Sequence, residues 1–189
     1  LSEIYIIDDR STDDTFGKAK KIQWSQGMVP LRIFQTPYNL GYGGNQKLGY
    51  RYAIKKGFDI VVLLHGDGQY APEYLPHILA AYREKVDAVF GSRFIQRGNA
   101  MKGGMPIYKW LGNRILTKVQ NALLKSQMSE MHSGYRSYRI SGLKRIPFYY
   151  NSRDFDFDAD IIIQFHAAGL KIKEIPIPTY YGDEVCHVN

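Results

Sequence analysis

The sequence contains almost no cysteine and no long apolar run. Its single thiol, Cys186, cannot form an internal disulfide, and one cysteine excludes a cysteine-rich zinc site. No run of 18 apolar residues occurs, so no segment of these 189 residues is predicted to span a membrane. No signal peptide, internal repeat, linker or low-complexity tract is recognisable. We therefore predict one domain over residues 1–189.

What is present is an ordinary globular composition with an excess of positive charge. Apolar residues make up 44% and charged residues 23% of the chain. The formal net charge of +7 favours anionic partners, although a basic surface that only aids solubility explains it equally well. The chain opens at Leu1 directly into the strand-like residues 3–7, so we expect an N-terminal segment to be missing.

Short apolar runs alternate with amphipathic stretches, which is typical of strands separated by helices. Residues 60–64 form an unbroken apolar run, as expected for a strand covered on both faces. The pattern predicts an α/β three-layer sandwich with a mostly parallel central sheet. Strands are predicted at 4–7, 31–34, 60–64, 88–90, 135–140 and 171–177, helices at 14–26, 44–56, 72–84, 108–124 and 157–168, and a basic loop at 97–104.

Polar or glycine-rich segments follow each of the first four strands. Because ligands bind outside the carboxyl ends of parallel strands, we expect these segments to meet at one site. Asp67 lies between Gly66 and Gly68, where a carboxylate could bind a hard cation such as Mg2+ or Mn2+, and Gln69 could add a carbonyl oxygen. A solvated Gly-Asp-Gly turn is the alternative that this tripeptide alone would favour.

Two acids and a glycine-rich loop lie at the ends of the first two strands. Asp8 and Asp9 could accept hydrogen bonds from a ribose or a base, or could serve only in a turn and a helix cap. Gly41 and Gly43 would let the backbone approach a ligand closely, although the spacing is not that of the dinucleotide fingerprint.

Basic residues could hold phosphate groups at the same edge. Each of them is, on its own, more often a surface cation. The candidates are Arg93, Arg97, Lys102 and Arg136.

Five ordered segments together resemble family 2 glycosyltransferases, in particular the polyprenyl-phosphate and dolichyl-phosphate sugar transferases. The resemblance covers nearly the whole chain. The segments are Ile-Ile-Asp-Asp-Arg-Ser-Thr-Asp-Asp-Thr at 6–15, Asn-Leu-Gly-Tyr-Gly at 39–43, His-Gly-Asp-Gly-Gln-Tyr at 65–70, the pair Gly-Ser-Arg-Phe at 91–94 and His-Ser-Gly-Tyr-Arg at 132–136, and residues 157–177.

This resemblance implies a GT-A fold, a nucleoside-diphosphate sugar donor and an inverting transfer. It implies that Asp9 contacts the base or ribose, that Asp67 is the main metal ligand with Gln69 in support, and that Arg93 and Arg136 face phosphates. His65 stands where the family usually has the first Asp of its Asp-x-Asp motif, which weakens the expected metal site. The family's first strand and its Pro-x-Tyr-Asn-Glu loop are absent from these residues.

The resemblance also bears on the acceptor. A hydroxyl acceptor needs a general base, for which Asp156, Asp158 and Glu130 are candidates, whereas a polyprenyl phosphate is already anionic. The basic loop from Arg97 to Lys102 would suit such a lipid phosphate, or would be only a solvated loop. We therefore expect a cytoplasmic domain that meets its acceptor at the inner face of the membrane.

Two other functions fit parts of the pattern. A nucleotidyltransferase of similar fold would carry a glycine-rich loop with Arg and Lys after its first strand, where this chain has Asp8 and Asp9. A non-catalytic nucleic-acid-binding domain would explain the charge, but the acids at the ligand edge argue against it, so we expect no nucleic-acid partner.

Overall fold

The structure, a computed structural model, describes residues 1–22, 28–178 and 180–181. The part of the first predicted helix at residues 23–27, and Cys186 with its neighbours at 182–189, lie outside the described residues. The elements form in the order that the apolar pattern predicts, with strands and helices alternating over the first half of the chain.

Six strands form two sheets within the described residues. β1 and β2 pair in parallel, with Ile4 opposite Leu31. In the second sheet the order is β3-β5-β4-β6, where β5 is antiparallel to both neighbours and β6 is parallel to β4. β3, β4 and β6 thus run in one direction and β5 alone is reversed. The strands are β1 (Ile4–Asp8), β2 (Leu31–Gln35), β3 (Ile60–Leu63), β4 (Ala88–Ser92), β5 (Arg136–Arg139) and β6 (Ile172–Pro176).

Seven α-helices lie in the described part of the chain, with short 3-10 turns at 72–74, 82–84 and 148–150. Among these residues no helix is both long enough and apolar enough to cross a membrane. The helices are α1 (Thr15–Lys20), α2 (Tyr42–Lys56), α3 (Leu75–Ala81), α4 (Asn99–Lys102), α5 (Ile107–Leu124), α6 (Ile140–Leu143) and α7 (Phe157–Ala167).

The second sheet has an apolar cluster on each of its faces, which confirms the predicted three-layer arrangement. Ala88 and Phe90 of β4 point into a cluster that includes buried residues of α2 and α7, and Val89 between them points into a cluster that includes Ile78 of α3. This alternation follows from the two-residue repeat of a strand. Aromatic rings fill the first cluster: the ring of Tyr138 lies 5.5 Å from that of Phe90 and 5.3 Å from that of Phe165.

A cavity of about 1640 Å³ is lined by both β1 and β3. In the described chain β1 pairs only with β2, and β3 pairs only with β5, so each strand has one edge without a strand partner. Tyr5 and Ile7 of β1 and every residue of β3 line this cavity. β1 and β3 therefore border the same cavity without pairing with each other.

The main difference from the predicted elements lies in the segment expected to be a basic loop. Residues 99–102 form the short helix α4, because Lys102 N–H donates to the Gly98 carbonyl and Gly103 N–H donates to that of Asn99. Gly98 precedes this helix with a φ of 83°, a conformation that favours glycine. Arg97 and Lys102 remain exposed on either side of it.

Candidate active site

The ends of the strands meet at the cavity, as expected from the sequence. Asp9 after β1, His65 and Asp67 after β3, and Arg93 after β4 all line it. Asp158, from the first turn of α7, lines it as well. Residues far apart in the chain therefore surround one space with acids, an imidazole and a cation.

Asp67 lies in the turn that follows β3, and its side chain is 43% exposed. Oδ1 accepts a hydrogen bond of 2.9 Å from the backbone N–H of Gln69, which fixes the turn. Gly68 has a φ of 76° in this turn, a conformation that favours glycine, so the turn itself requires Gly68. Oδ2 lies 3.9 Å from Nδ1 of His65. The carboxylate is thus held in place and still accessible from the cavity.

A chain of polar contacts leads from Asp67 into the protein. Nε2 of His65 lies 3.3 Å from the hydroxyl of Tyr42, and that hydroxyl donates to Oδ2 of Asp158 at 2.9 Å. The same oxygen of Asp158 lies 3.3 Å from the guanidinium of Arg136. Gln46 donates to the other oxygen of Asp158 at 3.3 Å. Each of these side chains is therefore oriented by the next.

The proton positions in this chain follow from the pKa shifts and the donor count. Burial and the negative charge of Asp158 raise the pKa of Tyr42, so its hydroxyl keeps its proton and donates a hydrogen bond to Asp158. Burial lowers the pKa of His65 below its ordinary value, so the imidazole is neutral at pH 7. Tyr42 has only one proton to donate, so Nε2 of His65 must carry the proton between them. Nδ1, which faces Asp67, is then the unprotonated nitrogen.

Asp8 and Asp9 are adjacent but have different environments. The Asp8 carboxylate is buried and accepts hydrogen bonds from the hydroxyl of Ser11 and, at 2.7 Å, from Gln35. Burial acts to raise the pKa of Asp8, but these hydrogen bonds outweigh it and hold that pKa below its ordinary value. Asp8 does not line the cavity. Asp8 therefore holds the loop after β1 in place. Its position does not support the expected contact with a nucleotide.

Asp9 faces the cavity. Its Oδ1 accepts hydrogen bonds from the Thr36 hydroxyl at 3.1 Å and from the Leu40 N–H at 2.8 Å. Both bonds converge on one oxygen, so within the described residues Oδ2 has no protein donor. Asp9 is thus the member of the acidic pair that is placed to accept a hydrogen bond from a ligand.

Gly41 and Gly43 are needed for close approach to protein and not, as we expected, to a ligand. Gly41 has a φ of 78°, and a Cβ on it would lie 2.7 Å from the Arg153 carbonyl. A Cβ on Gly43 would lie 2.6 Å from Cβ of Phe157. The N–H of Gly43 donates to the Arg153 carbonyl at 2.6 Å. These glycines let the start of α2 pack against the segment before α7, and neither lines the cavity.

Arg93 lines the cavity, but its guanidinium is already paired. The group is buried and forms an ion pair with Glu130, which also accepts a 2.7 Å hydrogen bond from the Arg93 backbone N–H. Burial acts to lower the pKa of Arg93, but the negative charge of Glu130 outweighs burial and raises that pKa above its ordinary value. The guanidinium therefore stays charged. The hydroxyl of Tyr181 accepts from the same group. Arg93 therefore offers little free charge to a phosphate, and Glu130 is unsuited to act as a base.

Arg136 is buried below the site and does not line the cavity. Its guanidinium donates to the backbone carbonyls of Met131, Ser133 and Asp158 at 2.7 to 3.0 Å. The sequence therefore predicted the wrong role: Arg136 does not face phosphates, but holds the segment before β5 against the start of α7. It is a positioning residue for Asp158.

One residue that the sequence argument did not single out also belongs to the site. Tyr42 connects His65 with Asp158, and its ring stacks on that of Phe155 at 4.8 Å between centroids. Tyr42 is the fourth residue of the glycine-rich segment at 39–43, and a polar aromatic residue between two glycines is the only signal of its role. Asp156, named as a base candidate, is exposed and lines the cavity.

No group of three His, Cys, Asp or Glu side chains close enough to hold a metal ion occurs in residues 1–22, 28–178 and 180–181. The protein offers Asp67 with His65 beside it, and Gln69 lines the same cavity two residues further on. A hard cation prefers six or more ligands, so most of them would have to come from a bound ligand and water.

Comparison with known proteins decides between the functions that the sequence left open. A model of the family described as "Glycosyl transferase family 2" matches residues 1–146. The chain belongs to glycosyl transferase family 2. This confirms the predicted enzyme class, a nucleotide-sugar-dependent glycosyltransferase, and the predicted GT-A type of α/β fold.

Several curated members of this family act on lipid phosphates by name. The chain is 27% identical to the undecaprenyl-phosphate mannosyltransferase of Micrococcus luteus over 93% of its own length and 71% of that protein. It is 26% identical to the polyprenol monophosphomannose synthase of Mycolicibacterium smegmatis, over 92% of this chain and 65% of that one. The UDP-N-acetylglucosamine–dolichyl-phosphate N-acetylglucosaminyltransferase of Methanococcus voltae is also 26% identical, over 95% and 75%.

Solved structures agree on the fold. Glucosyl-3-phosphoglycerate synthase of Mycobacterium tuberculosis, crystallised with Mg2+ and uridine diphosphate, superposes with a TM-score of 0.68 at 18% identity. A complex of the same enzyme with Mn2+, uridine diphosphate and its product superposes with a TM-score of 0.61. In both cases the match covers 98% of this chain and 62% of the solved one, so the chain spans under two thirds of that enzyme's length.

Proposed function

We propose that this domain transfers a sugar from a nucleoside-diphosphate sugar to a polyprenyl phosphate, with inversion at the anomeric carbon and with the help of Mg2+ or Mn2+. The observation that carries the proposal is the cavity where Asp9, His65, Asp67 and Asp158 meet, in a chain of family 2. Relatives named for undecaprenyl, polyprenol and dolichyl phosphate support the choice of acceptor.

The residues present fit a metal ion that is held only together with a diphosphate. Asp67 is a half-exposed carboxylate in a turn fixed by the N–H of Gln69, which matches a hard cation with oxygen ligands. A metal here would stabilise the negative charge that grows on the leaving diphosphate. Gln69 remains the proposed supporting ligand.

His65 is the second protein ligand in this proposal, although it replaces the usual acid. Its Nδ1 is unprotonated, faces the Asp67 carboxylate at 3.9 Å, and is held there by the contact of Nε2 with Tyr42. Electron spin-echo spectroscopy of Mn2+ with uridine diphosphate should detect a coupled nitrogen that is lost in His65→Asp. No coupled nitrogen in the wild type would remove His65 from the ligand set.

The nucleotide half of the donor is assigned to Asp9, whose Oδ2 can accept from a ribose hydroxyl or a base N–H. Asp8, Gly41 and Gly43 act indirectly, by holding the backbone on which Asp9 and Tyr42 are carried. Arg93 is neutralised by Glu130, so a bound metal, more than this arginine, would supply the positive charge opposite the diphosphate.

The acceptor side needs no base if the acceptor is a phosphate, since its oxygen is already anionic. Asp158 fits a positioning role, because Tyr42, Gln46 and Arg136 all bind its carboxylate. Asp156 is an exposed acid of the cavity and would be the base if the acceptor were a hydroxyl.

The experiment is a transfer assay with labelled UDP- and GDP-sugars, Mn2+ and a short-chain polyprenyl phosphate. Label should enter the lipid product, and nuclear magnetic resonance of that product should show an inverted anomeric carbon. Asp67→Asn should lower the rate by about 100-fold or more. Glu84→Gln, an exposed acid that does not line the cavity, is the control and should keep the rate.

Transfer to free sugars alone would reject the lipid acceptor, most clearly if Arg97→Glu/Lys102→Glu left that transfer unchanged. Retention of configuration in the product would reject the inverting mechanism. A full rate in Asp67→Asn would reject the metal assignment.

A further inference from the structure

Helix α5 exposes its apolar face to solvent, unlike a typical helix on the surface of a water-soluble protein. Of its 18 residues only Thr117 is buried. The residues facing the protein include the polar Asn113, Thr117, Gln120 and Asn121. Six apolar side chains are 51% to 77% exposed: Ile107, Leu111, Ile115, Leu116, Val119 and Leu123.

These six side chains form one continuous stripe, which we call the α5 face. At about 100° per residue their positions all fall within one half of the helix circumference. Soluble proteins seldom expose an apolar patch of this kind unless it contacts something. Elsewhere in the described chain, large exposed apolar residues such as Tyr38, Tyr150 and Ile163 lie on separate elements.

The charge around the α5 face has one sign. Residues 94–129 contain no Asp or Glu, whereas the rest of the chain contains all 18 of them. Lys109 and Arg114 lie along opposite borders of the stripe, and Lys118 lies just inside the border next to Arg114, as their positions on the helix show. The cations of this segment are Arg97, Lys102, Lys109, Arg114, Lys118 and Lys125.

We infer that the α5 face binds the surface of a lipid bilayer with anionic headgroups. An apolar stripe bordered by cations is the pattern of a helix that lies in the membrane interface, with its apolar side chains among the upper acyl chains. A second copy of this chain fits less well, because it would bring two basic faces together without an acid between them.

The α5 face also lies next to the cavity. Five residues of α5 line the cavity that contains Asp67: Tyr108, Lys109, Asn113, Leu116 and Gln120. A bilayer against the α5 face would therefore lie beside the cavity that contains Asp67. The binding itself does not depend on the proposed reaction, because it needs neither donor nor metal.

The test measures binding of the purified chain to vesicles by flotation, without nucleotide or metal. Vesicles of phosphatidylcholine are compared with vesicles that contain one third phosphatidylglycerol. The wild type should bind the anionic vesicles and lose binding as salt is raised. Leu111→Gln/Ile115→Gln/Val119→Gln should bind at least about tenfold more weakly, because each change removes apolar burial. None of these three residues lines the cavity.

Two further variants separate charge from apolar contact. Arg114→Gln/Lys118→Gln should weaken binding to anionic vesicles about 25-fold, at about fivefold per cation, and leave neutral vesicles unaffected. Tyr38→Gln/Tyr150→Gln/Ile163→Gln removes three exposed apolar side chains elsewhere and should bind like the wild type. Circular dichroism and binding of uridine diphosphate with Mn2+ check that every variant is folded.

The outcomes are distinct. No binding of the folded wild type to anionic vesicles, or equal binding by the α5 triple variant, would overturn the inference. So would light scattering that shows a wild-type dimer which the triple variant breaks, because the α5 face would then bind a second copy. Vesicle binding without any sugar transfer would reject the proposed reaction but would still support the inference that the α5 face binds a membrane.

Discussion

Two helices beside the site, α5 and α7, contact the rest of the protein in opposite ways. α7 buries Phe157, Ile161, Ile162 and Phe165 in the core and presents Asp158 to the cavity. α5 is longer, yet it buries only Thr117 and turns its apolar side outwards. The difference indicates that α7 is stabilised by this fold, and that α5 is shaped for a surface outside it.

The largest expected difference between the helices is in stability. Phe165→Ala should lower the free energy of unfolding by about 3–5 kcal/mol, because it leaves a cavity in the core. Leu123→Ala on the α5 face should change it by less than about 0.5 kcal/mol. Urea unfolding measures both. A loss of about 2 kcal/mol in Leu123→Ala would mean that α5 packs against this chain after all.

Replacing either of two glycines with alanine should change the stability by a smaller amount, and the two changes should have opposite signs. Gly43→Ala should destabilise by about 1–3 kcal/mol, because its Cβ would lie 2.6 Å from Phe157. Gly112→Ala on α5 should stabilise by about 0.5–1 kcal/mol, because no atom lies within 4 Å of its Cβ and alanine favours a helix. Thermal unfolding of the two variants gives both signs. A destabilised Gly112→Ala would contradict the open packing around α5.

The smallest expected effect is a change of stability with pH. Residues 94–129 contain no carboxylate, so a loss of stability in acid must arise in other parts of the chain. Asp8 has a pKa held below its ordinary value, so its contribution to stability is present above the unfolded-state pKa and lost as pH falls through the folded one. Asp8→Asn should cost about 1 kcal/mol at pH 7, and the difference from wild type should shrink in acid.

The check is urea unfolding at several pH values, with the exposed Asp59→Asn as the control that should be near neutral at pH 7. A difference between Asp8→Asn and wild type that stays constant into strong acid would show that the Asp8 charge is not what stabilises the loop after β1.

Much of the fold and part of the site could be predicted from the sequence. Local patterns placed the strand at 60–64 and the helix closed by Gly57, because apolar repeats and glycine caps act over a few residues. The meeting of Asp9, Asp67 and Arg93 also follows from strand order, since parallel strands present their carboxyl ends at one edge.

The roles of the arginines and glycines could not be predicted in the same way. Arg93 is neutralised by Glu130, 37 residues away, and Gly41 packs on Arg153, over 100 residues away. Sequence patterns carry no information on such distant contacts. The apolar periodicity of α5 likewise shows that the helix has two faces, but not that the apolar one is exposed.

The most direct test of the central claim is calorimetric titration of Mn2+ into the protein saturated with uridine diphosphate. We predict that Asp67→Asn weakens Mn2+ binding at least about tenfold, while Asp156→Asn, another exposed acid of the same cavity, leaves it within about twofold. Without the diphosphate both proteins should bind Mn2+ weakly, because one or two side chains are a poor ligand set. Equal affinity of the wild type and Asp67→Asn would contradict the account.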